Sequence, residues 1–145
     1  MNLLRPPLPD VLYLDTRQAN LLAMQMVFRH RPHYVLRPAN YIGEALRLAR
    51  MHPRTGLLLI DPDAADGDAV ADVLATLRAL PGHEHTPAIA LTADGGFDIE
   101  GAGFDERWTK PIDARVILPR LDAWLAGERR PARRAVVMPP LAAAA

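Results

Sequence analysis

Four polar residues come directly after short segments of strand-like sequence and carry side chains that can do chemistry together. Asp15 follows VLYL and Asp61 follows GLLLI. Thr92 follows PAIAL, and Lys110 follows ERWT. An aspartate can act as a nucleophile toward a phosphoryl donor when cations neutralise the like charges that otherwise repel the two groups. A second carboxylate holding a divalent ion, a hydroxyl and an ammonium would complete such a site.

Lys110 stands out because it is the only lysine among seventeen basic residues, and all the others are arginine. The lysine ammonium is a compact charge, whereas the arginine guanidinium is a wide planar fork. The pattern favours a functional role for Lys110. A general preference for arginine in the composition would also leave a single lysine.

Apolar runs and segments of helical periodicity alternate along the chain, which predicts a doubly wound α/β domain around a five-stranded parallel sheet. In such sheets the carboxyl ends of the strands meet at one edge, so the four polar residues above should converge there. A glycine pair at 95 and 96 predicts a shortened fourth helix. The predicted strands are 11–14, 33–36, 56–60, 87–91 and 106–109, and the predicted helices are 19–30, 41–51, 68–80 and 113–125.

Composition narrows the class of protein. A length of 145 residues suits one domain, and seventeen basic residues balance seventeen acidic ones, so no overall field attracts nucleic acid or an anionic membrane. The sequence has no cysteine and no serine, which excludes their nucleophiles and thiolate metal sites. No apolar run approaches the roughly 20 residues of a membrane span, and we expect a cytoplasmic protein.

Three segments are predicted: an N-terminal arm over 1–9, the folded domain over 10–127 and a disordered, proline-interrupted tail over 128–145. The tail carries a cluster of arginines but no DNA-binding element accompanies it, so no direct contact with nucleic acid is expected. The histidines are assigned no site. His83 and His85 are predicted to be solvated on a loop.

The motifs VLYLDTRQAN, LLLID, PAIALTA and AGFDERWTKPID, in this order and at about these separations, resemble the receiver domain of two-component response regulators. The resemblance covers roughly residues 10–126 and implies the flavodoxin-like receiver architecture. It also implies that a histidine kinase or a phosphotransfer protein is the partner, and that Mg²⁺ is the cofactor.

The same resemblance implies a role for each matching residue. Asp61 would be the phosphoacceptor, with Thr92 and Lys110 completing the catalytic set. Asp15, Asp61 and the backbone carbonyl of Asp63 would hold the magnesium ion. Receivers usually carry a second acidic residue where this chain has Thr16, so we expect the magnesium ion to be weakly held or absent.

Two further departures from the receiver pattern concern the loop after Asp61 and the position three residues before Lys110. Asp66 and Gly67 stand about two residues closer to Asp61 than the acidic-glycine pair of the family. Arg107 replaces the aromatic residue that turns inward on phosphorylation in receivers, which puts the usual readout in doubt.

Two other functions stay open. A pseudo-receiver would keep the fold and act as a phosphorylation-independent interaction or dimerisation module, and magnesium binding would separate it from a working receiver. A small phosphatase similar to haloacid dehalogenases would use the D-x-D of LLLIDPD, but it needs a later acidic pair, and the only aspartates after Lys110 are Asp113 and Asp122, spaced along the last helix. The resemblance favours a receiver that is not an enzyme.

Overall fold

The computed structural model describes residues 9–65 and 69–126. The predicted N-terminal arm up to residue 8, the predicted tail over 128–145 and the Asp66–Gly67 pair lie outside the described residues.

Five parallel strands form one sheet in the order β2-β1-β3-β4-β5. This confirms the predicted doubly wound architecture. No helix within residues 9–65 and 69–126 has both the length and the apolar character needed to cross a membrane. The elements, in chain order, are β1 Asp10–Leu14, α1 Gln18–Phe28, β2 Val35–Ala39, α2 Ile42–Met51, β3 Leu57–Ile60, a 3₁₀ helix at Pro62–Ala65, α3 Val70–Arg78, β4 Ala88–Thr92, α4 Ile99–Ala102, β5 Glu106–Thr109 and α5 Ala114–Leu125.

The sheet is covered on both faces, and each face has its own apolar core. Successive side chains of a strand point to opposite faces. Leu12 and Leu14 of β1 therefore belong to the core under α2 and α3. Val11 and Tyr13 belong to the core under α1 and α5, where Trp124 packs. Burial on both sides explains why the central strands are continuously apolar rather than alternating.

The second strand was predicted too early. His33 and Tyr34 lie in the turn before it, and the strand Val35–Ala39 includes Pro38. A proline argues against a strand because it has no backbone N–H to donate to the neighbouring strand. β2 is an edge strand, however, and its outer side needs no such donor.

The fourth helix is short, as predicted. It spans four residues, and the Asp98 side chain caps it by accepting a hydrogen bond from the Gly101 amide at 3.0 Å. Gly103 ends it with φ of +95°, a left-handed conformation that suits glycine.

The prediction that His83 is solvated is wrong. Its side chain is fully buried, and Nε2 lies 2.6 Å from the Ala49 carbonyl at the end of α2. The other ring nitrogen lies 3.3 Å from the Thr86 hydroxyl. Both polar atoms of the ring therefore have partners inside the protein, which makes burial possible.

An ionic cluster joins the turn after α1 to α5. The guanidinium of Arg31 donates to Asp122 Oδ1 at 3.0 Å and to Oδ2 at 2.7 Å, and Tyr34 Oη donates to Oδ1 at 2.5 Å. The hydrogen bond from Arg31 holds the pKa of Asp122 below its ordinary value. Burial and the hydrogen bond to Asp122 raise the pKa of Tyr34 to about 12.

We expect Arg31→Gln to lower the urea midpoint of unfolding more than Arg47→Gln does. Arg47 makes a 4.0 Å ion-pair contact with Glu44 and a 3.3 Å contact with Met51 Sδ and is 56% exposed, so it serves as a control with the same change of charge. Because the pKa of Asp122 is lowered by folding, its contribution is present above the ordinary aspartate pKa of about 3.9 and is lost as the pH falls through the folded value. The two midpoints should therefore converge in acid, and a constant difference down to low pH would contradict this.

A second ion pair, largely buried, joins α3 to the strands at the other side of the sheet. Arg78 contacts the Asp105 carboxylate at 3.2 Å, and the Asp105 side chain is 1% exposed. The same carboxylate accepts a hydrogen bond from the Ala88 amide at 2.9 Å, at the start of β4. Arg78 also donates to the Gly103 carbonyl at 2.7 Å. This pair therefore positions the segment that leads from α4 into β5.

Removing one partner of a buried pair leaves the other charge uncompensated. We expect Asp105→Ala to lower the free energy of unfolding by about 3 kcal/mol. Glu100→Ala, at an exposed position of α4, should change it by less than about 0.5 kcal/mol. Urea denaturation of both variants provides the comparison, and similar small losses would show that Arg78 and Asp105 are not energetically coupled to folding.

Candidate phosphoacceptor site

Backbone hydrogen bonds at the carboxyl edge of the sheet set the positions of the polar residues. Leu14 and Ile60 are register partners in the neighbouring strands β1 and β3. The residues that follow them therefore lie side by side, and these are Asp15 and Asp61. The Asp61 amide donates to the Leu14 carbonyl at 2.9 Å. The Lys110 amide donates to the Thr92 carbonyl at 3.0 Å, which places the end of β5 beside the end of β4.

The Lys110 ammonium lies between the two aspartates. Its Nζ is 2.6 Å from Asp61 Oδ2 and 3.1 Å from Asp15 Oδ2. The Asp15 side chain is fully buried, and the lysine side chain is only 15% exposed. In such a poorly hydrated place two carboxylates repel each other strongly, and the ammonium offsets that repulsion. The structure therefore brings together three of the predicted site residues.

Asp15 is surrounded by donors. Its Oδ2 accepts hydrogen bonds from the Tyr13 hydroxyl at 2.7 Å and the Asn20 amide at 3.0 Å, in addition to Lys110. Its Oδ1 accepts from the Arg17 backbone amide at 3.0 Å. Three of these donors share Oδ2, which has two lone pairs, whereas Oδ1 accepts a single hydrogen bond. Burial raises the pKa of Tyr13, as does its hydrogen bond to Asp15, so the phenol stays protonated and donates.

Thr92 ends β4 and is buried. Its hydroxyl accepts a hydrogen bond from the Asp94 amide at 2.9 Å, which fixes the turn that follows the strand. The hydroxyl hydrogen is still free to donate, because accepting uses only a lone pair of the oxygen.

A pocket of about 390 Å³ lies at this edge of the sheet. Asp61 lines it, and the Asp61 Oδ1 atom is held by the Asp63 backbone amide at 2.9 Å. The full lining consists of Arg17, Asn20, Asp61, Asp63, Ala93, Lys110 and Pro111.

The fit of a magnesium ion to these residues is poor. Mg²⁺ requires an octahedron of oxygen ligands that are free to bind it. Asp61 and Asp63 line the pocket, but Asp15 is fully buried and is not part of the lining, and its Oδ2 is shared by three donors that include the Lys110 ammonium. Thr16 is exposed and brings no charge. Within the described part of the chain, no group of three or more His, Cys, Asp or Glu side chains is arranged to hold a metal ion.

Three contributors to the site were missed in the sequence: Tyr13, Arg17 and Asn20. The position of Tyr13, two residues before Asp15, is a signal in retrospect, because residues i and i+2 of a strand share a face. Asn20 lies in the first turn of α1, where a polar side chain can reach back to the loop before the helix. Arg17 lies within the motif VLYLDTRQAN, but its residue type alone did not assign it to the site; the pocket lining and the bond from its amide to Asp15 place it there.

Arg107 takes a defined place beside the site. One of its guanidinium nitrogens, Nη1, donates to the Phe97 carbonyl at 2.9 Å, so β5 is tied to the segment between β4 and α4. That segment begins just after Thr92. The position that carries an aromatic residue in receivers is thus occupied here by an arginine that is hydrogen-bonded to the segment after β4.

The two later acids that a phosphatase similar to haloacid dehalogenases would need are engaged elsewhere. Asp113 caps α5 by accepting a hydrogen bond from the Arg115 amide at 2.9 Å. Asp122 pairs with Arg31 at 2.7 Å. Neither lines the pocket that contains Asp61. Within residues 9–65 and 69–126, neither of these two aspartates is therefore placed to serve the chemistry of such a phosphatase.

Comparison with known proteins gives a structural likeness only. No protein-family model matches the sequence, and no curated protein matches it. The receiver domain of a sensor histidine kinase from Pseudomonas aeruginosa, solved with a magnesium ion coordinated in its active site cleft, superposes with a TM-score of 0.71 at 19% identity, covering 85% of this chain and 100% of that one.

Two other solved structures are similar to the same degree. The chemotaxis response regulator CheY4 of Vibrio cholerae has a TM-score of 0.70 at 18% identity over 80% of this chain and 98% of its own. A CheY-like receiver domain protein of Methanospirillum hungatei has a TM-score of 0.68 at 21% identity over 81% of this chain and 93% of its own. At these identities the likeness concerns the fold, and the fold of this chain is that of a response regulator receiver domain.

Proposed function

We propose that the chain is a cytoplasmic receiver that accepts a phosphoryl group on Asp61 from a histidine kinase or a phosphotransfer protein and signals through protein contacts. In this reaction a carboxylate oxygen of Asp61 attacks the phosphorus of a phosphohistidine. The bond from phosphorus to the imidazole nitrogen breaks, the nitrogen keeps the electron pair and takes up a proton, and an aspartyl phosphate forms.

One observation carries the proposal: the carboxylate of Asp61 lines the pocket while the Lys110 ammonium contacts it at 2.6 Å. A nucleophilic aspartate must be reachable by the donor and must have a cation beside it to stabilise the charge that develops on the transferred oxygens. Asp15 has the cation but is fully buried, and Asp63 lines the pocket without a contact to Lys110 in the structure. Asp61 has both properties.

The proposed reaction does not depend on tight binding of magnesium. The ligands that would hold it in the pocket are the Asp61 carboxylate and the backbone carbonyl of Asp63. Asp15 is fully buried and does not line the pocket, so it would join them only if the site opened. We therefore expect at most weak binding, and no turnover of a phosphate ester, because the phosphatase acids are engaged elsewhere.

A pseudo-receiver is the second candidate, and two features of the structure favour it. The donors around Asp15 stabilise the acidic site without a metal ion or a phosphoryl group. The bond from Arg107 to the Phe97 carbonyl holds the segment after β4 in one position. Such a domain would bind a partner, or a second copy of itself, in one constant state.

Labelling separates the two candidates. We expect incubation with acetyl phosphate to add one phosphoryl group to the wild type, and Asp61→Asn to abolish the label because an amide is not a nucleophile toward phosphorus. Asp63→Asn is the matched control, since it removes a carboxylate from the same pocket and should keep the label. Intact-mass measurement followed by peptide mapping reads out both the amount and the position.

Two results would count against the proposal. A label that persists in Asp61→Asn would show that another group is the acceptor. A wild type that takes no label from acetyl phosphate, phosphoramidate or a phosphorylated phosphotransfer protein would favour the pseudo-receiver.

A further inference from the structure

Arg17 lines the pocket of Asp61, and the proposed phosphoryl transfer does not yet account for it. Its backbone is fixed because its amide donates to Asp15 Oδ1 at 3.0 Å. The residue is exposed, and among residues 9–65 and 69–126 its guanidinium forms no ion pair with a carboxylate. The side chain is thus anchored at one end and available at the other.

The charges at the site favour a second cation. Asp15 and Asp61 bring two negative charges, and the single ammonium of Lys110 contacts both. An incoming phosphoryl group adds further negative charge, and its oxygens must be stabilised as it transfers. A magnesium ion in the pocket would not reach Asp15, which is fully buried, lies outside the lining and already contacts Lys110 through Oδ2. Of the residues that line the pocket, the cations are Lys110 and Arg17.

We propose that Arg17 contacts the oxygens of the transferring phosphoryl group and supplies the charge that a divalent ion would otherwise supply, so that phosphorylation of Asp61 does not require magnesium. This inference rests on the proposed phosphoryl transfer to Asp61. The guanidinium is suited to the task because its planar fork can donate two hydrogen bonds to one phosphoryl group.

The step balances without a metal ion. With acetyl phosphate as donor, an oxygen of Asp61 forms a bond to phosphorus, the bond between phosphorus and the acetyl oxygen breaks, and acetate leaves with the electron pair. Arg17 neither gains nor loses a proton and acts only through charge and hydrogen bonds.

The test measures the initial rate of labelling by acetyl phosphate in the full chain, once in EDTA and once with excess MgCl₂. We expect the two wild-type rates to agree within about threefold. In EDTA, Arg17→Gln should be slower by about 100-fold, which is typical for the loss of one group that stabilises the transferring oxygens. The Arg17 backbone amide is retained in this variant, so its bond to Asp15 and the melting temperature should stay unchanged.

Two further variants and a binding measurement sharpen the result. Arg29→Gln removes an exposed arginine at the other end of α1, outside the pocket lining, and should label at the wild-type rate. Arg17→Lys should recover part of the lost rate. Inorganic phosphate should inhibit wild-type labelling in EDTA by competition, with an inhibition constant about tenfold weaker in Arg17→Gln.

The outcomes distinguish this inference from the proposed function. Labelling of Asp61 that requires MgCl₂ and is as fast in Arg17→Gln as in the wild type would overturn the role of Arg17 and leave Asp61 as the acceptor. Equal loss of rate in Arg17→Gln and Arg29→Gln would also overturn it, because the effect would then follow net charge. Absence of label on Asp61 in every condition would overturn the proposed function and this inference together.

Discussion

The contact of one ammonium with two buried carboxylates is the constraint on which this edge of the molecule depends. Asp15 and Asp61 are placed side by side by strand register, in a position where water cannot screen their repulsion. Lys110 reaches both, at 3.1 and 2.6 Å. The end of β5 must therefore lie close to the ends of β1 and β3, although β4 separates β5 from β3 in the sheet. The hydrogen bond from the Lys110 amide to the Thr92 carbonyl secures that approach.

Asp15 extends the constraint to the opposite side of the site. Its donors come from β1, from the loop that leads into α1 and from the first turn of that helix, so the start of α1 is held against the sheet by a single carboxylate. The consequence is chemical as well as structural. A carboxylate that serves so many donors is a poor ligand for a cation, and the same contacts hold Arg17 at the rim of the pocket.

The region after β4 shows how the fold tolerates a shortened connection. α4 has only four residues, too few to stabilise itself by its own hydrogen bonds. Arg107 and Arg78 supply the missing attachment, because each donates to a backbone carbonyl of this region, of Phe97 and Gly103 respectively. Asp105 then connects the segment to β4 through the Ala88 amide. A segment held in this way from both sides has little freedom to act as a switch.

The sequence by itself determined the class of fold, the order of the elements and the edge of the sheet at which Asp15, Asp61, Thr92 and Lys110 gather. It could do so because burial on both faces makes the strands read as continuous apolar runs, and because parallel strands end on the same side. The limits of β2 were misjudged because the effect of Pro38 depends on whether the strand lies at an edge, which only the assembled sheet decides. The burial of His83 depends in the same way on partners from distant segments, such as the Ala49 carbonyl.

The state of the acidic site was likewise decided by tertiary structure. Replacement of an acidic residue by Thr16 is visible in the sequence and predicts a weak metal site. That Tyr13, Asn20 and Arg17 turn their donors onto Asp15 is not visible, because hydrogen bonds depend on side-chain direction and on distances of a few tenths of an ångström. Periodicity along a chain specifies which face a residue occupies, whereas the geometry of a site is specified only when strands, loops and helices are packed together.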